Sequence, residues 1–411
     1  MTASVPLPTP SATRPGLACG RYLFFNPLLR TAMRLIDALT GLRHSLARPM
    51  PASLAPDRIL LCMQAHIGDL IYASAAIPVL RAAFPAARID FLVHPAAAHL
   101  LAEHPELGQI HSLTHWKLDR SGQSLWRRLL RYLGARRTLL QTLRANHYAL
   151  AVDLYAYFPN SIPLLASARI PLRLGWASGG FGGLLSHARE WDCAGQHILE
   201  WHRRLLAQIP ACRPHLGHLQ TSCPLPATAL ARSRELLQAA GIHSPFLCFH
   251  VGAGGAHKQW PEPAWHELAL ACAARGERIV LLGFGPAEEA LAQRIAARVP
   301  AAAVSLAGQL DFTRLAGCIA QARLFVGLDS MGTHLAAAHA IPVVGIYPGI
   351  MDGSWRPAGR HSRIITTPKP CAPCFLPAGC ASMACLRETP ANAVFAAIEA
   401  SLGEQVEAAH A

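Results

Sequence analysis

A strand-then-helix pattern runs through this chain twice, and that repetition limits its fold more than any other feature. Short apolar runs suited to buried parallel strands alternate with helical stretches in two successive series. The strands are predicted at Arg58–Met63, Arg88–Val93, Gln109–Leu113 and Tyr148–Leu154, and then at Phe246–His250, Arg278–Leu282, Leu324–Gly327 and Val343–Ile346. We therefore predict an α/β protein with two Rossmann-like, doubly wound domains, over residues 57–225 and 226–411, that face a central cleft. Ligands are expected at the carboxyl ends of the strands.

The first 56 residues form an extension of different composition. Residues 1–19 are rich in Pro, Ser, Thr and Ala without periodicity, which predicts disorder. Arg21–Arg48 alternates apolar and basic residues, a pattern typical of an amphipathic helix at a membrane interface. A surface helix packed on the first domain explains this pattern equally well.

Three features predict where the protein resides. The chain shows neither a long apolar span nor a signal-peptide pattern. Most of its 12 cysteines stand singly in apolar surroundings, as reduced and buried thiols do. We expect a cytoplasmic protein, with peripheral contact to the inner face of the cytoplasmic membrane as the open alternative.

The charge of the chain favours an anionic partner. Lysine and arginine number 37 against 24 acidic residues, which gives a net charge of +13. With 52% apolar and 15% charged residues, a disordered chain and a coiled coil are excluded. Only three of the basic residues are lysines, at positions 117, 258 and 369. A lysine in a glycine-rich loop of such a chain therefore indicates a specific role.

The loop after the first predicted strand carries a carboxylate. Gly68 allows a tight turn from strand to helix, and Asp69 follows at the helix start. Asp69 either caps the helix or, at the carboxyl end of a strand, acts as a general base. His66, two residues earlier, either serves a similar role or only lines the loop.

The loop after the first strand of the second series suits a phosphate group. Gly252, Gly254 and Gly255 let backbone N–H groups approach phosphate oxygens. Lys258 adds a compact positive charge at the end of this loop. The alternative is a solvated lysine without a ligand.

Two further strand–turn–helix segments follow in the same series. In Leu281–Ala296, Glu288 and Glu289 either stabilise the helix start or accept a hydrogen bond from a ribose hydroxyl. Phe325–Gly349 has a polar cluster before a helix of small residues, whose positive N-terminus can approach an anion. The members of this cluster are Asp329, Ser330, Gly332 and His334.

Together these segments resemble glycosyltransferase family 9, the heptosyltransferases of lipopolysaccharide assembly. The resemblance covers Arg58–Leu402 and rests on the motifs GDLIYASAAIPVLRAAFP, GAGGAHKQWP, GFGPAEE and GLDSMGTHLAAA, in the family's order. It implies the GT-B architecture, in which the second domain holds most of a nucleotide-sugar donor. It also implies a role for each matching residue: Asp69 as catalytic base, Lys258 at the diphosphate, Glu288 at the ribose, Leu310 against the nucleobase, Asp329 at the donor sugar, and Ser330 and His334 at the phosphates. We also expect Gly254 of the lysine loop and Gly332 of the turn before the helix to bind the donor.

The resemblance implies an inverting, metal-independent transferase that moves heptose from ADP-heptose onto a lipopolysaccharide core acceptor, without a cofactor. The sequence contains no Asp-x-Asp pair, which disfavours a diphosphate held by a metal. Met331 separates the Asp-Ser pair from glycine, and Ala253 and Gly254 stand where heptosyltransferases can have hydroxyl residues. A family 9 transferase that uses another nucleotide-sugar, for O-antigen, capsule or another glycan, is therefore the alternative.

The predicted helix Ser124–Arg144 sets arginines among leucines. We expect Arg127, Arg128 and Arg131 to bind an anionic glycolipid acceptor or a membrane surface; a solvated helix face is the alternative. Nucleic acid is not expected as a partner, because few aromatic residues are interleaved and no nucleic-acid-binding motif accompanies the helix.

Four cysteines near the C-terminus, Cys371, Cys374, Cys380 and Cys385, have a spacing that could hold zinc. We favour reduced packing thiols and expect no metal.

Overall fold

The computed structural model describes residues 21–23, 26–119, 121–243, 245–351, 353–376 and 378–410, the last five of them without their side chains. The stretch of residues 1–19 that is predicted to be disordered lies outside the described residues. The chain divides into two units, Met1–Ser222 and Cys223–Ala411. Each unit is built around a parallel sheet of its own.

The sheet of the first unit follows the Rossmann strand order. Its strands are β1 (Arg58–Met63), β2 (Arg88–Val93), β3 (Ile110–Ser112), β4 (Leu150–Asp153), β5 (Leu172–Trp176) and β6 (His187–Arg189). They pair in parallel in the order β3–β2–β1–β4–β5–β6. β1 is central, with Arg58 opposite Arg88 of β2 and Ile59 opposite Leu150 of β4. Its residues after Arg58 are all buried, as expected for a parallel strand covered on both faces.

Seven described helices belong to this unit. They are α1 (Pro27–Leu39), α2 (Leu42–Ala47), α3 (Ile67–Ala73), α4 (Ala76–Ala83), α5 (Leu125–Ala145), α6 (Ile162–Ser167) and α7 (Ile198–Leu206). α3 begins shortly after β1, and α5 connects β3 to β4. The predicted helix Ser124–Arg144 corresponds to α5.

The second unit repeats this topology. Its strands are β7 (Phe246–His250), β8 (Arg278–Leu282), β9 (Ala303–Ser305), β10 (Leu324–Leu328), β11 (Val343–Ile346) and β12 (Ser362–Ile365). Their order, β12–β11–β10–β7–β8–β9, is the order of the first sheet when it is read from β9. The helices of this unit are α8 (Ala227–Ala239), α9 (Glu262–Ala274), α10 (Pro286–Arg298), α11 (Phe312–Ala320), α12 (Met331–Ala338), α13 (Ala384–Arg387) and α14 (Ala391–His410).

The eight predicted strands correspond to β1–β4, β7, β8, β10 and β11. The pattern does not predict β5, β6, β9 and β12, which lie toward the sheet edges. Edge strands are only partly covered, so they lack the continuous apolar run of a central strand. β12, with every residue half-buried, and β9, with three residues, are examples.

The Arg21–Arg48 segment forms α1 and α2, which pack on the first unit. α1 begins at an Asn26–Pro27 step, where the Asn26 side chain accepts a hydrogen bond from the Leu29 N–H at 3.0 Å. Buried Asp37 accepts hydrogen bonds from the Tyr22 hydroxyl at 2.8 Å and from the Gly183 N–H at 3.2 Å. One face of α1 is therefore fixed to the protein.

Within the described ranges, no helix combines the length and the apolar character that crossing a membrane requires.

Candidate functional site

In each sheet, one pair of neighbouring strands is followed by connections that run in opposite directions along the sheet. This pair is β1 and β4 in the first sheet and β7 and β10 in the second. Ligands of open α/β sheets bind at the carboxyl ends of the strands at such positions. Most of the predicted site residues follow one of these four strands or the neighbouring β8.

Asp69 follows β1, in the first turn of α3. His66 precedes the helix, and Asp69 Oδ2 accepts a hydrogen bond from the His66 backbone N–H at 3.1 Å. Asp69 is therefore the third residue of the helix rather than its N-cap, and it supports the start of α3 from inside the first turn. Its side chain is half-buried, so it keeps access to solvent.

Tyr155, which the sequence pattern does not single out, lies within electrostatic range of Asp69. It follows β4, the neighbour of β1. Burial raises the pKa of the Tyr155 hydroxyl well above its usual value, and the negative charge of Asp69 raises it further. This tyrosine therefore stays protonated at neutral pH. Its place after a predicted strand is the signal that could have identified it.

A second carboxylate at this edge is structural. Asp153, the last residue of β4, is fully buried and accepts hydrogen bonds from the backbone N–H groups of Tyr155 at 3.2 Å and Ser161 at 3.0 Å. Burial raises its pKa to about 7. Gln64 ties the same edge together through the Leu113 carbonyl and the Ser161 hydroxyl, each at 3.0 Å. Asp69 is thus the accessible carboxylate of the two.

An ion pair lies at the corresponding edge of the second sheet. Lys258 ends a short 3-10 turn (Ala256–Lys258) after β7, and Asp329 directly follows β10. The Lys258 ammonium lies 2.7 Å from Asp329 Oδ2. The two side chains are 30% and 17% exposed, so an anion can still reach the lysine. Parallel pairing of β7 with β10 brings these two distant parts of the sequence together.

The start of α12 is packed tightly against the sheet. Ser330 precedes the helix, and its hydroxyl is buried without a hydrogen-bond partner among the described residues. An added Cβ at Gly332 would lie 2.8 Å from Phe325 Cζ, so only glycine fits without rearrangement. His334 is buried inside the helix. The close approach leaves the helix N-terminus beside Asp329.

Glu288 connects two loops. Its Oε2 accepts a hydrogen bond from the Phe284 N–H at 2.8 Å, and an added Cβ at Gly252 would lie only 1.8 Å from the same atom. Burial raises the pKa of Glu288, while backbone hydrogen bonds from Phe284 and Ala253 oppose that rise. The carboxylate therefore fixes the glycine loop after β7 to the turn after β8.

Gly254 and Leu310 complete the predicted donor side. Among the described residues, no heavy atom lies within 4 Å of an added Cβ at Gly254, so the space beside its backbone is open. Leu310 is buried just before α11, whose start is capped by Asp311 through the Arg314 N–H at 2.8 Å. The open backbone suits a phosphate group, and the apolar side chain suits a nucleobase.

Comparison with known proteins identifies the family. A family model described as glycosyltransferase family 9 (heptosyltransferase) matches residues 136–380. The chain belongs to glycosyltransferase family 9. Lipopolysaccharide heptosyltransferase 1 of Pseudomonas aeruginosa is 28% identical to this family 9 member over 335 residues, which cover 77% of this chain and 86% of the relative.

Solved structures agree with the fold of this family 9 chain. Escherichia coli ADP-heptose LPS heptosyltransferase II is 22% identical with a TM-score of 0.66, and the match covers 85% of this chain and 99% of that one. E. coli heptosyltransferase WaaC with ADP is 21% identical with a TM-score of 0.62, over 84% and 99% of the two chains. At these identities the likeness shows the fold alone. The α/β, GT-B class and the family are confirmed, and the protein is a glycosyltransferase.

The three arginines predicted at the acceptor differ in their contacts. Arg128 donates to the Asp119 carbonyl at 3.0 Å, and Arg131 lies 3.3 Å from Asp119 Oδ2 and also donates to Gln123. Arg127 is exposed, with no ion pair or hydrogen bond of its guanidinium among the described residues. Two of the three arginines of this glycosyltransferase thus also hold the loop before α5.

Of the four C-terminal cysteines, Cys374 and Cys385 pack against other side chains, whereas Cys371 and Cys380 are exposed and do not have the expected packing role. The described residues include no group of three or more His, Cys, Asp or Glu side chains placed to hold a metal. Cys385 is buried with Ile350 and Met383, and Cys374 packs against this cluster. The exposed Cys380 Sγ accepts a hydrogen bond from the Met383 N–H at 3.4 Å. The zinc alternative therefore receives no support from the described part of the chain.

Proposed function

We propose that this glycosyltransferase moves heptose from ADP-heptose onto a sugar of the lipopolysaccharide core, with inversion at the anomeric carbon. The curated relative of P. aeruginosa is named for heptose transfer in lipopolysaccharide, and one solved structure of the same fold contains ADP. The observation that carries the proposal is the Lys258–Asp329 pair at the carboxyl edge of the second sheet. It combines a cation for a diphosphate with a carboxylate for sugar hydroxyls.

On the donor side, a positive charge and free space beside the backbone support binding of a phosphorylated ligand. The Lys258 ammonium, the open space beside the Gly254 backbone and the N-terminus of α12 all favour a diphosphate. Negative charge on the departing ADP grows as the sugar–phosphate bond breaks, so these groups stabilise the transition state more than the ground state. Asp329 then accepts hydrogen bonds from the donor sugar, Glu288 from the ribose, and Leu310 packs on the adenine.

On the acceptor side, Asp69 is the proposed general base. An acceptor hydroxyl oxygen attacks the anomeric carbon and transfers its proton to the Asp69 carboxylate, while the bond from that carbon to the diphosphate oxygen breaks. Asp69 suits this step because its carboxylate is accessible, whereas Asp153 is buried. The protonated Tyr155 is near enough for the charge of this carboxylate to raise its pKa further. The reaction needs no metal and no cofactor.

We further propose that Arg127, Arg128 and Arg131 attract the anionic acceptor, and that the enzyme works at the cytoplasmic face of the inner membrane. Arg127→Glu is the cleanest test, because Arg128 and Arg131 also hold the Asp119 loop. Turnover on a lipid-linked acceptor should fall while ADP binding stays unchanged. The matched control is Arg232→Glu, an exposed arginine of α8 in the second unit. Equal kinetics of both variants would remove the acceptor role.

A donor screen tests the whole proposal. The purified enzyme is assayed with truncated lipopolysaccharide and a panel of ADP-heptose, UDP-glucose, UDP-N-acetylglucosamine and GDP-mannose, with and without EDTA. We expect transfer from ADP-heptose alone, and no effect of EDTA. Transfer from another donor and none from ADP-heptose would establish the alternative family 9 function in O-antigen, capsule or other glycan synthesis.

A further inference from the structure

α1 presents leucines to solvent in a regular row. Leu28, Leu35 and Leu39 are 81%, 61% and 87% exposed. With the exposed Ala32 they occupy positions i, i+4, i+7 and i+11, which lie on one face of a helix. We call these four residues the leucine stripe. Single exposed leucines are normal on proteins, but a contiguous apolar row indicates a contact surface.

The opposite face of α1 is anchored, so the stripe cannot turn inward. Buried Met33 lies against Gly180, where an added Cβ would be 2.7 Å from the methionine sulfur. Buried Asp37 accepts hydrogen bonds from the Tyr22 hydroxyl and from the Gly183 N–H. The packing that holds the helix thus also holds the leucine stripe outward.

The segment that contains the leucine stripe carries a net positive charge. Between Arg21 and Arg48 the sequence has five arginines and one acidic residue, Asp37. Asp37 is buried and used inside the protein, and Arg21 pairs with Glu190 at 3.1 Å. For the other four arginines of this segment, the described residues provide no ion pair. Arg30 and Arg34 lie on α1 away from the stripe, and Arg43 and Arg48 follow in and after α2. The net positive charge of the whole segment, combined with the exposed apolar row, is complementary to an anionic lipid surface.

α5 carries a second row of the same kind. Its exposed Trp126, Leu130 and Leu133 follow at i, i+4 and i+7, beside the exposed Arg127. α6 shares one core cluster with Leu42 of α2 and another with the C-terminal part of α5, so it packs between these two helices in the first unit.

We infer that the leucine stripe of α1, together with the α5 row, inserts into the headgroup region of a bilayer that contains anionic lipid. Tryptophan and leucine at the boundary and arginine toward the headgroups are the composition that such surfaces have. The inference deepens the proposed function, on which it rests for a reason to be at a membrane: the acceptor is lipid-linked.

The test measures binding of the full chain to vesicles, without donor or acceptor. Vesicles of phosphatidylethanolamine with roughly one third phosphatidylglycerol are compared with vesicles of phosphatidylcholine. The wild type should co-sediment with the anionic vesicles and dissociate at high salt. The variant Leu28→Ser/Leu35→Ser/Leu39→Ser should bind at least about tenfold more weakly. Leu270→Ser removes an exposed leucine of α9 in the second unit and should bind as the wild type does.

Two further measurements keep the inference separate from folding and from the reaction. Thermal unfolding and ADP binding should be the same for the triple variant and the wild type, because the leucines are exposed. Transfer onto an acceptor stripped of its acyl chains should also be unchanged. If the wild type shows no heptosyl transfer but its vesicle binding depends on the stripe, the proposed function fails and the inference stands.

Three results would overturn the inference. The wild type could fail to bind anionic vesicles, or the triple variant could bind them as tightly as the wild type. The triple variant could also convert a dimer of this chain into monomers in light scattering, with vesicle binding unchanged. In that last case a second copy, and not a lipid surface, covers the stripe.

Discussion

The two sheets of this glycosyltransferase share one strand order but carry different chemistry at their carboxyl edges. In the first sheet, a half-buried carboxylate lies near a protonated tyrosine, Asp69 with Tyr155. In the second sheet, a lysine pairs with a carboxylate beside a glycine loop and a helix start, Lys258 with Asp329. The repeated topology determines where the loops converge, and the residues in those loops determine the chemistry of each edge. The first edge suits removal of a proton from an acceptor hydroxyl, and the second suits binding of a diphosphate.

The largest effect should come from the first sheet. Asp69→Asn removes the proposed base while keeping size and an acceptor oxygen, so kcat should fall about 100- to 10,000-fold. Donor binding, measured by calorimetry with ADP, should stay unchanged because it belongs to the other sheet. Asp57→Asn changes an exposed aspartate just before β1, at the far end of the strand, and serves as control. Near-normal turnover of Asp69→Asn would end the assignment of the base.

The next effect should come from the second sheet. Lys258→Ala removes the cation for the diphosphate and leaves the Asp329 carboxylate without its partner. We expect kcat/KM to fall by roughly 100- to 1,000-fold, together with weaker ADP binding. Lys369→Ala is the matched control, since this lysine pairs with Glu388 at the surface. Wild-type affinity of Lys258→Ala for ADP would contradict the division of roles between the sheets.

Two glycines of the second sheet separate stability from binding. Gly332→Ala forces a Cβ against Phe325, so it should lower the free energy of unfolding by about 1–3 kcal/mol. The added methyl group of Gly254→Ala meets no atom of the described residues within 4 Å, so thermal unfolding should be unchanged. It should nevertheless weaken ADP binding, because we propose that phosphate approaches this backbone. A destabilised Gly254→Ala with normal ADP affinity would reverse this interpretation.

The smallest effect should be a difference in acid sensitivity. Burial lowers the pKa of six histidines in the first unit and of two in the second: His99, His104, His111, His115, His187 and His202, against His250 and His339. His202, with a pKa of about 3, stays neutral in the folded state while it takes up a proton in the unfolded state. Stability from these groups is therefore present above about pH 6.5 and is lost as the pH falls toward their folded-state values.

Buried carboxylates oppose this trend without reversing it. Asp37 and Asp153 in the first unit and Glu288 in the second have raised pKa values, that of Asp153 being about 7, so each favours the folded state once the pH falls through its raised pKa. The first unit has six such histidines against two such carboxylates, whereas the second has two against one, so acid should destabilise the first unit more. Hydrogen exchange between pH 7 and pH 4.5, corrected for the intrinsic rate, should show β1–β6 losing protection before β7–β12. Simultaneous loss would show that these groups do not decide acid stability.

The central part of the fold could be predicted from the sequence because central parallel strands are continuous apolar runs. β5, β6, β9 and β12 could not, since short and partly covered strands need little apolar character. Site residues could be predicted where the composition is unusual, as for Lys258, one of three lysines in an arginine-rich chain. Its pairing with Asp329 depends on β7 lying beside β10, and the approach of Tyr155 to Asp69 depends on β1 lying beside β4. Such contacts come from sheet order, which no local pattern contains. The contacts of Arg128 and Arg131 with Asp119 are local in sequence, but they depend on the conformation of the loop before α5, which the helical pattern does not contain.

The ion pair of Lys258 has a consequence for the end of the reaction cycle. Because its ammonium already has a carboxylate at 2.7 Å, a diphosphate that binds there replaces an existing attraction instead of meeting an isolated charge. Part of the electrostatic gain of binding is thereby offset, which limits how tightly the spent nucleotide is retained. In the proposed cycle, Asp329 again neutralises the lysine once ADP has left, so the empty enzyme has no uncompensated charge at this ion pair. An arrangement of this kind favours turnover over tight product binding.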